Sequence, residues 1–253
     1  MSLRRRPRLL RPTGRPVSVE ISFTKLRVYR ECPWKYQLQF VAGWRIPLTP
    51  AGSLGLSLHR ALECFHRKGS PSEEDLWACY ESRWLSAGYV DEKVRESWRG
   101  KGKRILERYL ADERDRRTVI EAVEREFVYP LGRHEVRGMI DRIDRHPDGK
   151  LEVIDYKTSG DGERLAPRDE LQLRFYGLGC REALAKEPDL LTLCFVAAGR
   201  RVTAPYDPSG EAELKTMIVA AADRIEAAKF PPETSFCPNC DFRKCCAYSV
   251  AKD

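Results

Sequence analysis

Apolar residues recur at helical spacing through the first half of the chain. Ser22 is placed to cap a helix whose apolar face carries Leu26 and Tyr29, and Pro33 is expected to break this helix before residues 34–40. A loop rich in Pro and Gly is expected at residues 43–55. We predict a mainly helical first half, with further helices at residues 56–68, 72–85 and 92–115.

The pattern changes after Thr118, where β-branched and aromatic residues become frequent. Strands are predicted at residues 136–145 and 151–157, and His146-Pro147-Asp148-Gly149 between them has the composition of a hairpin turn. The remaining elements predicted are a helix at 168–185, a strand at 190–197 and a helix at 209–229. This order predicts an α/β fold, with a mixed sheet flanked by helices and a helical N-terminal region packed on it.

Composition and charge narrow the class of protein. The chain has 253 residues, 42% of them hydrophobic and 33% charged, which excludes fibrous and disordered proteins. No apolar run approaches the roughly 18 residues that a membrane span needs, so no membrane partner is expected. The net charge of +7 comes largely from a tail expected to be flexible, residues 1–18, although a tail that grips nucleic acid is an alternative. Its arginines are Arg4, Arg5, Arg6, Arg8, Arg11 and Arg15.

Eight of the nine cysteines fall into two groups, and Cys32 stands alone near the start of the chain. No secretory signal is recognisable, so we expect a cytoplasmic protein with reduced thiols rather than a disulfide framework. Scattered cysteines are expected to be small buried hydrophobic residues; these are Cys64, Cys79, Cys180 and Cys194. Cysteines that suggest a metal centre crowd the C-terminal end; these are Cys237, Cys240, Cys245 and Cys246.

The strongest chemical signal lies on the predicted hairpin. Side chains alternate along a strand, so Asp155 and Lys157 share one face. Asp141 lies on the neighbouring strand and can approach Asp155 if the hairpin forms. Two converging carboxylates make an oxygen site suited to Mg²⁺ or Mn²⁺. The alternative is an ordinary hairpin with solvated charges.

These residues resemble the PD-(D/E)xK nuclease superfamily, in the branch that holds the RecB and AddB nuclease domains and CRISPR-associated iron-sulfur exonucleases. Gly138-x-x-Asp141-Arg-x-Asp144 is similar to the second motif of that branch, and Asp155-Tyr-Lys157 to its D/E-x-K motif. The resemblance implies a restriction-endonuclease-like fold. It also implies a metal held by Asp141, Asp155, His59 on an upstream helix and the backbone carbonyl of Tyr156.

Further catalytic residues are implied by the same resemblance. Gln172 and Tyr176 match the Q-x-x-x-Y motif of the branch and share a helix face at i and i+4, although a polar helix face is the alternative. Lys157 would orient or help deprotonate the attacking water and stabilise the developing charge. An imidazole among oxygen ligands leads us to expect that Mn²⁺ serves at least as well as Mg²⁺.

A second cofactor is implied by the cysteines. Cys237-x2-Cys240-x5-Cys246 offers three thiolates, and Cys32-Pro33 resembles the upstream Cys-Pro that supplies the fourth ligand in related nucleases. The resemblance implies a [4Fe-4S] cluster held by Cys32, Cys237, Cys240 and Cys246. Zinc on four thiolates is the alternative, and the neighbouring Cys245 leaves the last ligand open.

The resemblance implies a metal-dependent DNA exonuclease, with single-stranded ends favoured, in DNA repair, recombination or CRISPR spacer acquisition. Residues 19–253 would form one nuclease domain: a helical part at about 19–117, a core at about 118–230 and an iron-sulfur segment at 231–253 completed by Cys32. The chain has no P-loop, so a helicase or CRISPR adaptation protein would be a separate partner. Alternatives are a noncatalytic DNA-end-binding subunit of a helicase–nuclease complex and a zinc-stabilised module that binds a partner protein.

Overall fold

A computed structural model describes residues 18–69, 72–160, 162 and 166–251 of the chain. The basic N-terminal tail predicted at residues 1–18 lies almost wholly outside the described residues. Two layers of helices enclose one mixed β-sheet. The predicted α/β class, with a sheet flanked by helices and a helical N-terminal region, is therefore confirmed.

Four of the α-helices in the described residues begin at capping residues. Ser22 accepts a hydrogen bond from the backbone N–H of Lys25, and Thr49 accepts one from Gly52. The bounds are α1 Phe23–Glu31, α2 Pro33–Tyr36, α3 Pro50–His66, α4 Glu73–Arg83, α5 Glu92–Arg114, α6 Pro167–Leu184 and α7 Glu211–Glu226. The four that begin at capping residues are α1, α3, α4 and α5. The π-helical residues Gln37–Val41 continue α2, and 3₁₀ turns span Pro208–Gly210 and Thr234–Asn239.

The prediction of a loop at residues 43–55 is wrong for its second half, where α3 has already begun. Thr49 and Pro50 form an N-cap and first-turn pair, so α3 starts at Pro50 in spite of two glycines in its first two turns. This early start matters because α3 carries His59, the predicted metal ligand.

Six strands form the sheet within the described residues. Their bounds are β1 Glu20–Ile21, β2 Val119–Leu131, β3 His134–Arg145, β4 Leu151–Lys157, β5 Leu190–Phe195 and β6 Arg200–Pro205. The predicted hairpin is present as the antiparallel pair of β3 and β4, and β5 is parallel to β4. Strands β1 and β6 were not predicted, because β1 has two residues and β6 is a short edge strand with two arginines. For β2 the sequence indicated only a region of strand character after Thr118, without bounds.

Strand β3 is the strand that shapes the site. One edge of β3 pairs with β2 along nearly its whole length. The other edge is shared: β1 pairs in parallel with Glu135 and Val136, and β4 pairs with Arg142 to Arg145. A gap in backbone pairing therefore separates β1 from β4 on this edge, and Asp141 lies at its border.

The core has two parts on opposite faces of the sheet. Helices α1, α6 and α7 pack on one face, where Phe127, Ile140 and Phe175 are buried. Helices α3, α4 and α5 cover the other face, where Ile154 and Tyr156 of β4 are buried. In the described part of the chain, none of the helices has the length and apolar character that a bilayer span requires.

The structure overturns one expectation about cysteines. Cys64 of α3 and Cys79 of α4 form a disulfide, whereas we expected two unpaired buried thiols. The packing of α3 against α4 brings their Cα atoms to 5.7 Å, within the range that a disulfide spans. Cys180 and Cys194 are free and buried, as expected.

Candidate functional site

Asp141 and Asp155, the two predicted aspartates, lie opposite each other where the pairing of β3 with β4 ends. Arg142 pairs with Ile154 at the end of the β3–β4 ladder, so the next opposing positions hold Asp141 and Asp155. Opposing residues of an antiparallel pair project to the same face. The ladder stops here because Asp141 Oδ2 accepts a hydrogen bond from the backbone N–H of Tyr156 at 2.7 Å, in place of a main-chain bond.

The last residues of β4 carry the lysine of the site. Lys157 Nζ lies 2.7 Å from Asp155 Oδ2, as the alternation along the strand predicts. Gln172 of α6 connects them, because its Oε1 accepts from Lys157 at 2.5 Å and its Nε2 donates to Asp155 Oδ1 at 2.8 Å. Gln172 Nε2 also lies 3.0 Å from the Tyr176 hydroxyl, which accepts. The Gln172–Tyr176 face of α6 is thus directed at the acidic site rather than at bulk solvent.

His59 reaches the site from the helical layer on the other face of the sheet. Gly55 permits this approach, because a Cβ atom there would lie 2.7 Å from the Thr158 hydroxyl oxygen just after β4. His59 Nδ1 lies 3.6 Å from Asp141 Oδ2. Burial lowers the pKa of His59 in spite of the nearby Asp155 and Glu124 carboxylates, which keeps the imidazole neutral and able to ligate a metal.

Sequence reasoning missed Glu124. This residue of β2 has φ 47°, a left-handed conformation uncommon for a residue other than glycine. Candidate ligand atoms of His59, Glu124 and Asp141 all lie within 4.8 Å of one another. Register explains the proximity: Val123 pairs with Arg142 and Arg125 with Ile140, so Glu124 stands opposite Asp141. A β-bulge sets this register, and no sequence motif marks it.

The site holds more negative charge than its surroundings neutralise. Burial, and then the charge of Asp155, raises the pKa of Asp141 to about 8. Burial, together with Asp141 and Glu63, raises the pKa of Glu124 to about 7. Burial also raises the pKa of Asp155, although Lys157 opposes this. Carboxylates with raised pKa values around a neutral imidazole are the arrangement that a divalent cation stabilises.

The donor set suits a hard or borderline divalent ion. His59, Glu124 and Asp141 offer one nitrogen and carboxylate oxygens, which Mg²⁺ and Mn²⁺ accept. Asp155 lies beside this group, but its oxygens contact Lys157 and Gln172. Glu63, one helical turn after His59, instead pairs with Arg67 at 3.1 Å.

The other predicted centre lies at the C-terminal segment. Four buried cysteines line one cavity; these are Cys32, Cys237, Cys240 and Cys246. Cys245 is exposed, and its thiol donates to the Phe242 carbonyl. Although all nine cysteines are among the described residues, no three of their sulfur atoms lie within 4.8 Å of one another. Aromatic residues close the cavity, among them Trp34 and Phe236.

A mixed sheet between helical layers, with carboxylates and a lysine at the end of a central strand, is consistent with the restriction-endonuclease-like fold. Residues 20–247 match the PD-(D/E)XK nuclease superfamily, and the chain belongs to that superfamily. No curated protein matches the chain.

The solved structures that are similar to this chain include two that match most of its length. A candidate exonuclease from Eubacterium rectale superposes with a TM-score of 0.52 and 9% identity, covering 85% of this chain and 84% of its own. This similarity supports the fold. The structure of SSO0001 has a TM-score of 0.38 and 15% identity, over 90% of this chain and 97% of its own.

Proposed function

We propose that this protein is a divalent-metal-dependent DNA exonuclease that acts on DNA ends, with single-stranded DNA as the favoured substrate. The observation that carries the proposal is the convergence of Asp141, Asp155 and Lys157 at the gap between β1 and β4. Membership of a nuclease superfamily supports a nucleic acid as the substrate. A noncatalytic DNA-end-binding protein would have no need for this acidic site beside a lysine.

The metal would be held by His59, Asp141, Asp155 and the Tyr156 carbonyl, and Glu124 is added to this set by its position. When bound, the ion supplies Lewis acidity, which neutralises phosphate charge and makes a bound water easier to deprotonate. We expect Mn²⁺ to serve at least as well as Mg²⁺ because the donors include an imidazole nitrogen.

Three side chains, Lys157, Gln172 and Tyr176, would position the attacking water and the phosphate. Lys157 stands where an ammonium can orient the attacking water and stabilise negative charge that develops on the phosphate. Gln172 fixes Lys157 and Asp155 relative to each other through two hydrogen bonds. Tyr176 holds the Gln172 amide by accepting its second N–H, so the α6 pair keeps the lysine and the carboxylate in one arrangement.

For the cysteine cavity we infer a [4Fe-4S] cluster on Cys32, Cys237, Cys240 and Cys246. A single zinc ion on the same four thiolates is the alternative. Burial of Cys246 and exposure of Cys245 favour Cys246 as the last ligand. Iron and zinc analysis, with visible absorbance that bleaches on reduction, distinguishes the two alternatives.

The proposed pathway remains that of DNA repair, recombination or CRISPR spacer acquisition. The relation to the RecB and iron-sulfur branch is part of this proposal and is supported by the Q-x-x-x-Y pair and the four cysteines. A helicase or a CRISPR adaptation protein is the partner proposed for this nuclease.

The test uses anaerobically purified protein with single- and double-stranded DNA labelled at either end. We expect shortening from an end with Mn²⁺ or Mg²⁺, faster on single strands, and inefficient cleavage with Ca²⁺. Asp155→Ala should be inactive, and the exposed Asp148→Ala in the hairpin turn is its matched control. Absence of metal-dependent cleavage in the wild type, or full activity in Asp155→Ala, would contradict the proposal.

A further inference from the structure

A groove leads away from the catalytic site. Lys157 and Gln172 line a cavity whose other walls include Arg27 of α1 and Arg168 of α6. A second cavity shares Arg27 and Arg168 and continues to Ile46 and to Phe236 of the C-terminal segment. Because the two cavities share these arginines, they form one path from the lysine of the site toward the cysteine segment.

The two shared arginines supply guanidinium donors along a path that also contains carboxylates, among them Glu31 and Asp169. Arg27 Nη1 contacts Glu31 at 2.5 Å, and its side chain is 34% exposed. The Arg168 side chain is 69% exposed, and Nε lies 3.7 Å from Asp169. Each guanidinium therefore has one carboxylate neighbour and retains N–H donors for a further anion, and guanidinium groups bind phosphate well.

An apolar segment, residues 40–48, flanks the path at Ile46. Its exposed apolar side chains are Phe40, Val41, Trp44, Ile46 and Leu48. All five tryptophans lie in the described residues. Trp44 is the most exposed of them, with 40% of its surface accessible, and the other four are partly buried. Trp44 packs edge-on against Phe242, with ring centroids 5.7 Å apart, which anchors the indole to the C-terminal segment.

We propose that the groove between α1 and the segment 40–48 is the track for a single strand of DNA, with phosphates at Arg27 and Arg168 and bases against Trp44 and Ile46. This inference rests on the proposed function and assigns its strand preference to these residues. Basic groups beside an apolar, partly aromatic surface suit a strand with unpaired bases, because paired bases in a duplex cannot stack on protein side chains. Continuity with Lys157 favours DNA over a protein as the occupant.

Binding of labelled single- and double-stranded DNA, measured by fluorescence anisotropy in Lys157→Ala protein with Mn²⁺, tests the track without cleavage. Adding Arg27→Ala and Arg168→Ala should weaken single-strand binding about tenfold or more and reduce the salt slope by about 1.4, since each contact contributes about 0.7. Adding Trp44→Leu should weaken it about fivefold or more and leave the slope unchanged. Arg83→Ala, an exposed arginine of α4, is the control and should change nothing.

The possible results distinguish failure of the proposed DNA track from failure of the proposed exonuclease function. Unchanged binding in the double arginine variant, while the wild type cleaves DNA, would overturn the track alone. Unchanged DNA affinity in Trp44→Leu would overturn the role of the segment 40–48 with bases. Failure of the wild type both to bind and to cleave DNA would overturn the track together with the exonuclease proposal.

Discussion

Glu124 belongs to the candidate metal site, although no sequence motif marks it. Its carboxylate joins His59 and Asp141 only because β2 and β3 pair in one register and the backbone at Glu124 turns left-handed. Backbone conformations of this kind cost about 1–3 kcal/mol and concentrate at functional sites. Asp141, Asp155 and Lys157 could be identified from the sequence because strand alternation and a hairpin turn are local properties.

At the residue scale, Glu124→Gln should weaken Mn²⁺ binding about tenfold. The substitution keeps the shape of the side chain and removes one of the negative charges near the ion. Titration calorimetry with Mn²⁺ measures this effect. Glu126→Gln, at an exposed glutamate of the same strand, is the control and should bind as the wild type does. Equal Mn²⁺ affinity in Glu124→Gln and Glu126→Gln would show that Glu124 does not contribute to metal binding.

His66 should make the protein less stable in acid. Burial, and then Arg142, lowers its pKa to about 3, so the folded state holds it neutral while the unfolded state binds a proton below about pH 6.5. The stability that His66 contributes is therefore present above pH 6.5 and is lost as the pH falls from about 6.5 toward 3, at up to about 1.4 kcal/mol per pH unit. Urea unfolding of wild type and His66→Gln at pH 7.0 and 5.5 measures it. A wild-type pH slope no steeper than that of His66→Gln would contradict this assignment.

At the scale of elements, the back of the β3–β4 pair is held by a buried ionic network that the sequence did not reveal. Arg142 is 1% exposed and donates to Asp144 and Glu113, each at 2.6 Å. Its Nη1 also donates to the Tyr109 hydroxyl, which hydrogen-bonds the Tyr156 hydroxyl at 3.0 Å. This network holds Tyr156 of β4, and the residues on either side of it, Asp155 and Lys157, face the candidate site.

Arg142→Met should therefore destabilise the fold by about 3–5 kcal/mol, because the buried carboxylates of Asp144 and Glu113 lose their nearest cation. Arg116 and Arg201 still contact these carboxylates, but from longer distances of 2.9 Å. The comparison is Arg137→Met on the same strand, where the side chain is 44% exposed and its pairs with glutamates lie at the surface. That control should change the free energy of unfolding by less than about 1 kcal/mol. Chemical denaturation measures both, and equal losses would show that Arg142 is no more important than a surface arginine.

Elements could be predicted where their signals are local. The β3–β4 hairpin and α1 follow from a turn and an N-cap, whereas β1 takes its place only through a tertiary pairing with Glu135 and Val136. The Cys64–Cys79 disulfide was missed for a similar reason. Their sequence separation of 15 does not indicate that α3 and α4 pack with these two positions facing each other.

At the scale of the whole molecule, the two ends of the described chain meet. The Tyr29 hydroxyl donates to the Lys229 carbonyl at 2.7 Å, and Tyr36 stacks on Phe230 at 5.9 Å. Cys32 joins the C-terminal cysteines in the same region. Such long-range contacts lie beyond what periodicity can predict, and family resemblance alone suggested the role of Cys32.

The stability of the protein should depend on the cluster that we propose for the cysteine cavity. Cys246→Ser should lower the melting temperature and the iron content, because the proposed cluster would lose a buried ligand that links the C-terminal segment to Cys32. Cys245→Ser, at the exposed neighbour, should change neither. Thermal melting with metal analysis checks both variants. Equal iron content in the wild type and Cys246→Ser would contradict the assignment of this ligand.

Lys157 is the residue that would connect the acidic site to the proposed cleavage of phosphodiester bonds. The decisive measurement is the initial rate of Mn²⁺-dependent cleavage of saturating end-labelled single-stranded DNA by wild type and Lys157→Ala. We predict a loss of about 100-fold or more in the variant, with unchanged melting temperature and DNA affinity. Wild-type cleavage rates in purified Lys157→Ala would contradict the account.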